Sequence, residues 1–207
     1  MNLDGRQLYL CTAARDDMDE FLGAVISGGV EIVQLRDKSL DARDLISVGR
    51  RMRAICRDAG VPFLVNDRPD LALEIGADGV HVGQDDAPVA LCRRILGPDA
   101  IIGLSTHSDD DLAGALEEGV TYLSAGPIEA TPTKPGRPGT GLGYVTRAIA
   151  RAEFPVFVTG GVSPATIPDL AHAGVTRFVV VRAITEAHDP RAAARSLSDA
   201  IRAGAQR

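Results

Sequence analysis

The stretch Ser27-Gly28-Gly29-Val30-Glu31-Ile32-Val33 decides the fold, because the chain repeats its pattern. A helix-like segment ends, a Gly and a Val follow, and an apolar run begins. The phrase returns as Ala59-Gly60-Val61-Pro62-Phe63-Leu64-Val65 and as Gly76-Ala77-Asp78-Gly79-Val80-His81-Val82. It returns again as Glu118-Gly119-Val120-Thr121-Tyr122-Leu123 and as Ala173-Gly174-Val175-Thr176-Arg177-Phe178-Val179-Val180-Val181. Gly supplies the left-handed turn that stops a helix. A short β-branched run then suits a strand buried on both faces.

Working outward, the intervening segments have helical spacing. Over residues 44–56, Leu45, Val48, Met52 and Ile55 fall on one stripe with the arginines opposite. Ser108 before Asp109-Asp110-Asp111 is an N-cap followed by acids in the first turn, and Leu112, Ala115 and Leu116 supply the buried face. Strands are expected near residues 7–12, 32–36, 63–65, 79–82, 101–105, 122–125, 156–159 and 177–181. Strict alternation of strand and helix argues for a parallel sheet with helical crossovers. An open doubly wound sheet more often has fewer strands, so eight units favour a closed (β/α)8 TIM barrel, with residues 1–207 as a single domain.

Composition narrows the function. Hydrophobic residues make up 45% and charged residues 24%, as in ordinary globular proteins. No apolar run approaches the ~20 residues needed to span a bilayer. The start, MNLDGRQLYL, lacks the basic and apolar segments of a secretory signal, so a cytoplasmic location is expected. A net charge of −6, no Trp and only 4% aromatics argue against nucleic acid as a partner. Cys11, Cys56 and Cys92 form no metal spacing and read as buried apolar thiols.

In a barrel of this kind the chemistry sits at the C-terminal ends of the strands. There the sequence places Gln34-Leu35-Arg36-Asp37-Lys38, Asn66-Asp67-Arg68, Gly83-Gln84-Asp85-Asp86, Ser105-Thr106-His107, Gly126-Pro127, Thr159-Gly160-Gly161 and Arg182. Gln34, Arg36 and Lys38 have period two, so an extended chain puts them on one face. Their cations suit a polyanion such as a pyrophosphate. Asp67 and Asp86 follow neighbouring strands and suit a hard cation, Mg2+ above all, or else a division of general acid and base. Spacing does not choose between Asp85 and Asp86. The segment from Pro127 to Gly143 is long for a strand-to-helix connection, and its Thr131, Thr133 and Lys134 on a Pro/Gly framework suit a lid or phosphate clamp. Gly160-Gly161 and the turn after the eighth strand occupy the usual phosphate position of such barrels. His81 reads equally as a buried structural histidine or a functional one, and His107 as part of a helix cap.

With these residues together, the chain resembles the thiamine-phosphate synthase family over nearly its whole length. The motifs are Gln34-Leu35-Arg36-Asp37-Lys38, Asn66-Asp67, Gly79 through Asp86, Gly103-Leu104-Ser105-Thr106-His107, Gly126-Pro127, Thr131-Pro132-Thr133-Lys134 and Gly160-Gly161-Val162. The resemblance implies a transferase of thiamine biosynthesis. Its substrates are 4-amino-2-methylpyrimidine-5-methyl diphosphate and hydroxyethylthiazole phosphate, or the carboxylated form of the latter. It releases pyrophosphate with Mg2+ as cofactor, through a carbocation-like state and without a protein nucleophile. Carried over by motif, Gln34, Arg36, Lys38, Asn66, Ser105 and Lys134 hold the pyrimidine diphosphate. Of these, Arg36, Lys38, Lys134 and Ser105 act catalytically. Asp67 and Asp86 bind Mg2+. Thr131, Thr133, Gly161, Val181 and Arg182 hold the thiazole phosphate. Many members have a Ser where this chain has Arg182, which puts a hydroxyl contact there in doubt and keeps a phosphate contact.

Three rivals stand beside this reading. A thiazole tautomerase on the same barrel would use a histidine and needs no pyrophosphate site. A sugar-phosphate isomerase or epimerase would use the phosphate position and paired acids. A non-catalytic phosphate-binding regulator would turn nothing over.

Overall fold

The first strand of this chain pairs with the eighth as well as with the second, and that closes the sheet. The computed structural model describes residues 2–130 and 138–205. Its strands are β1 (Leu8–Thr12), β2 (Ile32–Leu35), β3 (Phe63–Asn66), β4 (Gly79–Val82), β5 (Ile101–Thr106), β6 (Tyr122–Ala125), β7 (Val156–Val158) and β8 (Phe178–Val180). They run parallel, in chain order, around one barrel. Each lies within one residue of the boundaries expected from the sequence.

The helices are α1 (Met18–Gly28), α2 (Ala42–Asp58), α3 (Pro69–Ile75), α4 (Val89–Leu96), α5 (Asp109–Glu117), α6 (Gly141–Arg151), α7 (Ile167–His172), α8 (Arg182–Thr185) and α9 (Pro190–Gly204). The repeated phrase works as its chemistry requires. Gly29, Gly60, Gly76, Gly119 and Gly174 all have positive φ. Val30, Val61, Ala77 and Val175 then donate their backbone N–H to Val25, Cys56, Ala72 and Leu170. Such bonds satisfy carbonyls left open at a helix end and turn the chain toward the next strand.

Two differences from the sequence reading have simple causes. On α2 the fully buried stripe is Leu45, Gly49, Met52 and Cys56, with Val48 and Ile55 only partly covered. The stripe is rotated because Gly49 lies directly against Ile75 of α3. Helix α6 begins at Gly141, so Gly143 belongs to the helix and not to the preceding loop.

The apolar side chains separate into two layers. One faces outward under the helices and includes Leu10, Val33, Leu35, Val65, Val80 and Leu123. The other fills the barrel and comprises Leu3, Tyr9, Ile32, Leu64, Ile101, Tyr122 and Phe157, with Val179 packed against it. Successive strand residues point to opposite faces, so the residue two places beyond each filler also points inward, one layer higher. Those residues are Cys11, Gln34, Asn66, Ser124, Thr159 and Val181. On β4 and β5 the inward positions are Gly79 paired with Ile101, then His81 paired with Gly103, and beyond Gly103 comes Ser105.

The opposite, N-terminal end is pinned by charged side chains. Arg53 meets Asp78 at 3.1 Å, and Asp78 accepts the Phe63 N–H at 2.8 Å. Glu31 accepts the N–H groups of Gln7 and Leu8. Arg93 donates to the carbonyls of Pro98 and Ala100 at 2.8 and 2.7 Å.

Candidate active site

A cavity of about 510 Å³ opens at the C-terminal end of the barrel. All eight strands or the residues just after them contribute to its wall, and its size suits a ligand of a few hundred daltons. The residues are the upper inward layer of the sheet together with the loops that follow.

Gln34, Arg36 and Lys38 all line this cavity, as their spacing predicts. The residue between the two cations turns the other way. Asp37 accepts hydrogen bonds from the Ala14 N–H and from both Ser39 donors, and so builds the turn that presents its neighbours. Burial pushes its pKa up, but the Ser39 and Ala14 bonds outweigh that and hold it below the usual carboxylate range.

Asn66 and Asp67 lie across from them at the end of β3. Asp67 has φ 61°, the left-handed region that few residues other than Gly adopt and that Asp tolerates better than most. Its carboxylate reaches the Lys38 ammonium at 3.1 Å. Burial raises the Asp67 pKa, as does the Asp86 carboxyl within hydrogen-bonding reach, and Lys38 works against both. Asp86 is fixed by the Gly83 N–H at 2.8 Å. Of the two acids of that loop, Asp86 lines the cavity beside Asp67 and Asp85 does not. Among the described residues no group of three or more metal-ligating side chains forms. A pair of carboxylates is what Mg2+ commonly takes from a protein when waters and substrate phosphates complete its shell.

Below this rim runs a buried polar chain that links Gln34, His81 and Ser105 through Tyr9 and Tyr122, two residues that the sequence does not mark as functional. Gln34 Nε2 donates to Tyr9 OH, and Cys11 Sγ donates to Gln34 Oε1 at 3.3 Å. Tyr9 OH and Tyr122 OH are 2.9 Å apart. Tyr122 OH lies 2.8 Å from His81 Nδ1, and His81 Nε2 lies 2.9 Å from Ser105 Oγ. Burial raises both phenols well above the ordinary tyrosine value. The signal for this chain was present as Gly103: a Cβ there would stand 2.1 Å from Tyr122 Cζ, so the glycine makes room for the ring.

His81 thus joins the site through both ring nitrogens. His107 lines the cavity too, while its backbone N–H donates to Asp111 and so completes the cap of α5. The Ser108 cap forms as expected, with its hydroxyl accepting from the Asp111 N–H.

On the far side, Thr159, Gly160, Gly161, Ser163, Val181 and Arg182 line the same cavity. Gly160 is required by packing as well as by any ligand. It has φ 91°, and a Cβ would meet Pro127 Cβ at 2.5 Å and Ile128 N at 2.8 Å. Thr131, Thr133 and Lys134 lie outside the described residues.

The comparisons with known proteins fit this geometry. The profile of a family described as thiamine monophosphate synthase matches residues 8–184. The chain belongs to the thiamine monophosphate synthase family. That membership makes it an enzyme of the transferase class in thiamine biosynthesis. The chain is 47% identical over 207 residues to the thiamine-phosphate synthase of Mycobacterium sp. (strain KMS), covering 94% of this chain and 92% of that one. It is 49% identical over 208 residues to the thiamine-phosphate synthase of Thermobifida fusca (strain YX), covering 98% and 95%. A solved thiamine phosphate pyrophosphorylase from Pyrococcus furiosus superposes with a TM-score of 0.87 at 28% identity, covering 96% of each chain. No helix among the described residues is long and apolar enough to cross a membrane.

Proposed function

We propose that this chain joins 4-amino-2-methylpyrimidine-5-methyl diphosphate to hydroxyethylthiazole phosphate, releasing pyrophosphate and forming thiamine phosphate. The observation that carries this reading is the convergence of Gln34, Arg36, Lys38, Asn66, Asp67, Asp86 and Ser105 on one cavity. A tautomerase or a sugar-phosphate isomerase does not call for that density of pyrophosphate-directed groups.

In this reading the diphosphate sits between Arg36 and Lys38, with Asn66 and Ser105 as neutral donors and Lys134 assigned to it as a further cation. Asp67 and Asp86 would hold Mg2+, which supplies charge neutralisation to a departing pyrophosphate when bound. Arg36 offers a planar fork and Lys38 a point charge to the same leaving group. These groups meet charge that grows as the bond to the pyrimidine methyl carbon breaks, so their effect falls on the transition state. The pyrimidine amino group stabilises the cationic carbon by electron donation. The thiazole nitrogen then forms the new bond, and no protein nucleophile is needed.

The thiazole phosphate is assigned to Gly161, Val181 and Arg182, with Thr131 and Thr133 from the loop. Arg182 is exposed at the cavity edge, where a guanidinium can take a phosphate oxygen in place of a serine hydroxyl. The test is incubation of the protein with both precursors and Mg2+. Pyrophosphate and thiamine phosphate should appear together in equal amounts. A folded protein that releases neither overturns the reading.

A further inference from the structure

We propose that Lys38 is an exchangeable counter-ion, which neutralises Asp67 in the free protein, yields that carboxylate to a divalent cation and turns to the diphosphate instead. The inference rests on the functional reading for the identity of the cation and the diphosphate.

Of the three charged groups that meet here, two are fixed and one can move. Asp67 is held by its backbone, which has φ 61° and donates its N–H to the His81 carbonyl at 2.8 Å. The Asp86 carboxylate accepts the Gly83 N–H at 2.8 Å, so its own turn holds it in place. The two carboxyl groups stand within hydrogen-bonding reach of each other. Acids this close favour a positive charge beside them. Lys38 supplies it to Asp67 at 3.1 Å, from a side chain that is 64% exposed against 21% for Asp67. The ammonium reaches that contact along a flexible four-carbon stem, and the same stem can carry it elsewhere.

The choice of residue supports exchange. The chain has 22 basic residues, and only Lys38 and Lys134 are lysines. Among the described residues, every other ion pair of a Lys or Arg with a carboxylate uses Arg, as in Arg53–Asp78 and the two-bonded Arg147–Asp109. A planar guanidinium suits a pair that stays made, whereas an ammonium is a point charge that can change partners.

Lys38, Asp67 and Asp86 all line the cavity, with Arg36 on the same wall. A divalent cation that approaches the two acids therefore meets Lys38 as a rival for Asp67. A diphosphate offers the ammonium other oxygens and so draws it off the carboxylate. Cation and diphosphate then each favour the other's binding, as linkage requires.

The test reads metal binding and the lysine directly, without turnover. Mn2+ is titrated into the substrate-free protein and followed by the electron paramagnetic resonance of the unbound ion. Lys38→Met should bind Mn2+ roughly 3- to 10-fold more tightly than wild type, from loss of a partly exposed ion pair and of its repulsion. Lys38→Arg keeps the charge and should show no gain. In an Asp86→Asn background Mn2+ binding should fall sharply with either Lys or Met at position 38. Unchanged or weaker binding by Lys38→Met, an equal gain in Lys38→Arg, or undiminished binding after Asp86→Asn overturns the proposal.

Nuclear magnetic resonance separates exchange from a fixed charge that only repels the ion. Protein carrying lysine labelled with 13C at Cε has two lysine signals, and Lys38 is the one that Lys38→Met removes. Saturating Mg2+ should move the Lys38 signal toward the position it takes in Asp67→Asn. Mg2+ with pyrophosphate should move it to a third position. A Lys38 signal that Mg2+ leaves in place, or that pyrophosphate does not move further, overturns the exchange. Protein that shows both movements but forms no thiamine phosphate supports the exchange and overturns the assigned reaction.

Discussion

Lys38 Nζ stands 3.1 Å from Asp67 Oδ2, which ties the turn after β2 to the end of β3 by opposite charges. The pair brings a group assigned to the leaving diphosphate against a group assigned to the metal. Asp67→Asn removes the charge and keeps a residue that tolerates positive φ. It should lower turnover by on the order of 10² and leave thermal stability unchanged. Asp67→Val should lose the same activity and also roughly 1–2 kcal/mol of stability, because a β-branched side chain is strained at φ 61°. Thermal melts beside steady-state rates separate the two effects. An Asp67→Asn protein that melts far below wild type would make Asp67 structural.

Exhaustive removal of divalent ions should abolish turnover and leave the melting temperature where it was. Two carboxylates at a cavity rim do not hold the barrel together. Mg2+ should restore the rate. Full activity after chelation sinks the metal assignment.

Lys134 is proposed as a third cation for the pyrimidine diphosphate. Lys134→Ala should cut kcat, with a smaller change in the KM for the pyrimidine diphosphate, if it meets charge that grows in the transition state. Thr131→Val should instead raise the KM for the thiazole phosphate. The reverse pattern shows that the loop's two substrates are assigned backwards.

Gly103→Ala should destabilise the barrel by roughly 1–3 kcal/mol, because the new methyl would drive into the Tyr122 ring. It should also lower kcat, since the ring carries the hydroxyl bonded to His81. Gly114→Ala on α5 is the control: nothing lies within 4 Å of its Cβ, and the change should be neutral or stabilise by up to about 1 kcal/mol. Urea unfolding of both variants checks the pair.

Asp78→Ala acts at the other end of the barrel. It leaves Arg53 without its ion-pair partner and the Phe63 N–H without an acceptor, which should cost roughly 1–3 kcal/mol. Both KM values should stay at wild type, because this ion pair lies on the N-terminal face. A changed KM would show that the two ends of the barrel are coupled.

What the sequence made legible was periodicity. The Gly-Val phrase places the strands, and alternation alone puts Gln34, Arg36 and Lys38 on one face. Three-dimensional closeness was not legible. Tyr9 and Tyr122 are 113 residues apart, and only closure of the sheet brings their hydroxyls together. Tyr122 sat inside an apolar run and read as strand filling, which it also is. Asp86 could not be told from Asp85 because the choice depends on how the turn at Gly83 folds back. Gly160 was read for its approach to a phosphate, while the nearer neighbours are Pro127 and Ile128 of the loop after β6.

The rings of Tyr9, Tyr122 and Phe157 come from β1, β6 and β7, whereas β4 contributes Gly79 and the partner of Tyr122 on β5 is Gly103. The bore is therefore lopsided, with bulky staves set beside bare positions. Its inward positions are not interchangeable. Exchanging Gly103 with Phe157 would keep the total volume and still put one ring where Tyr122 already lies, with a void where the other had been. An engineer seeking to rebuild this barrel by duplicating one half would have to break the symmetry again before the lower layer could close.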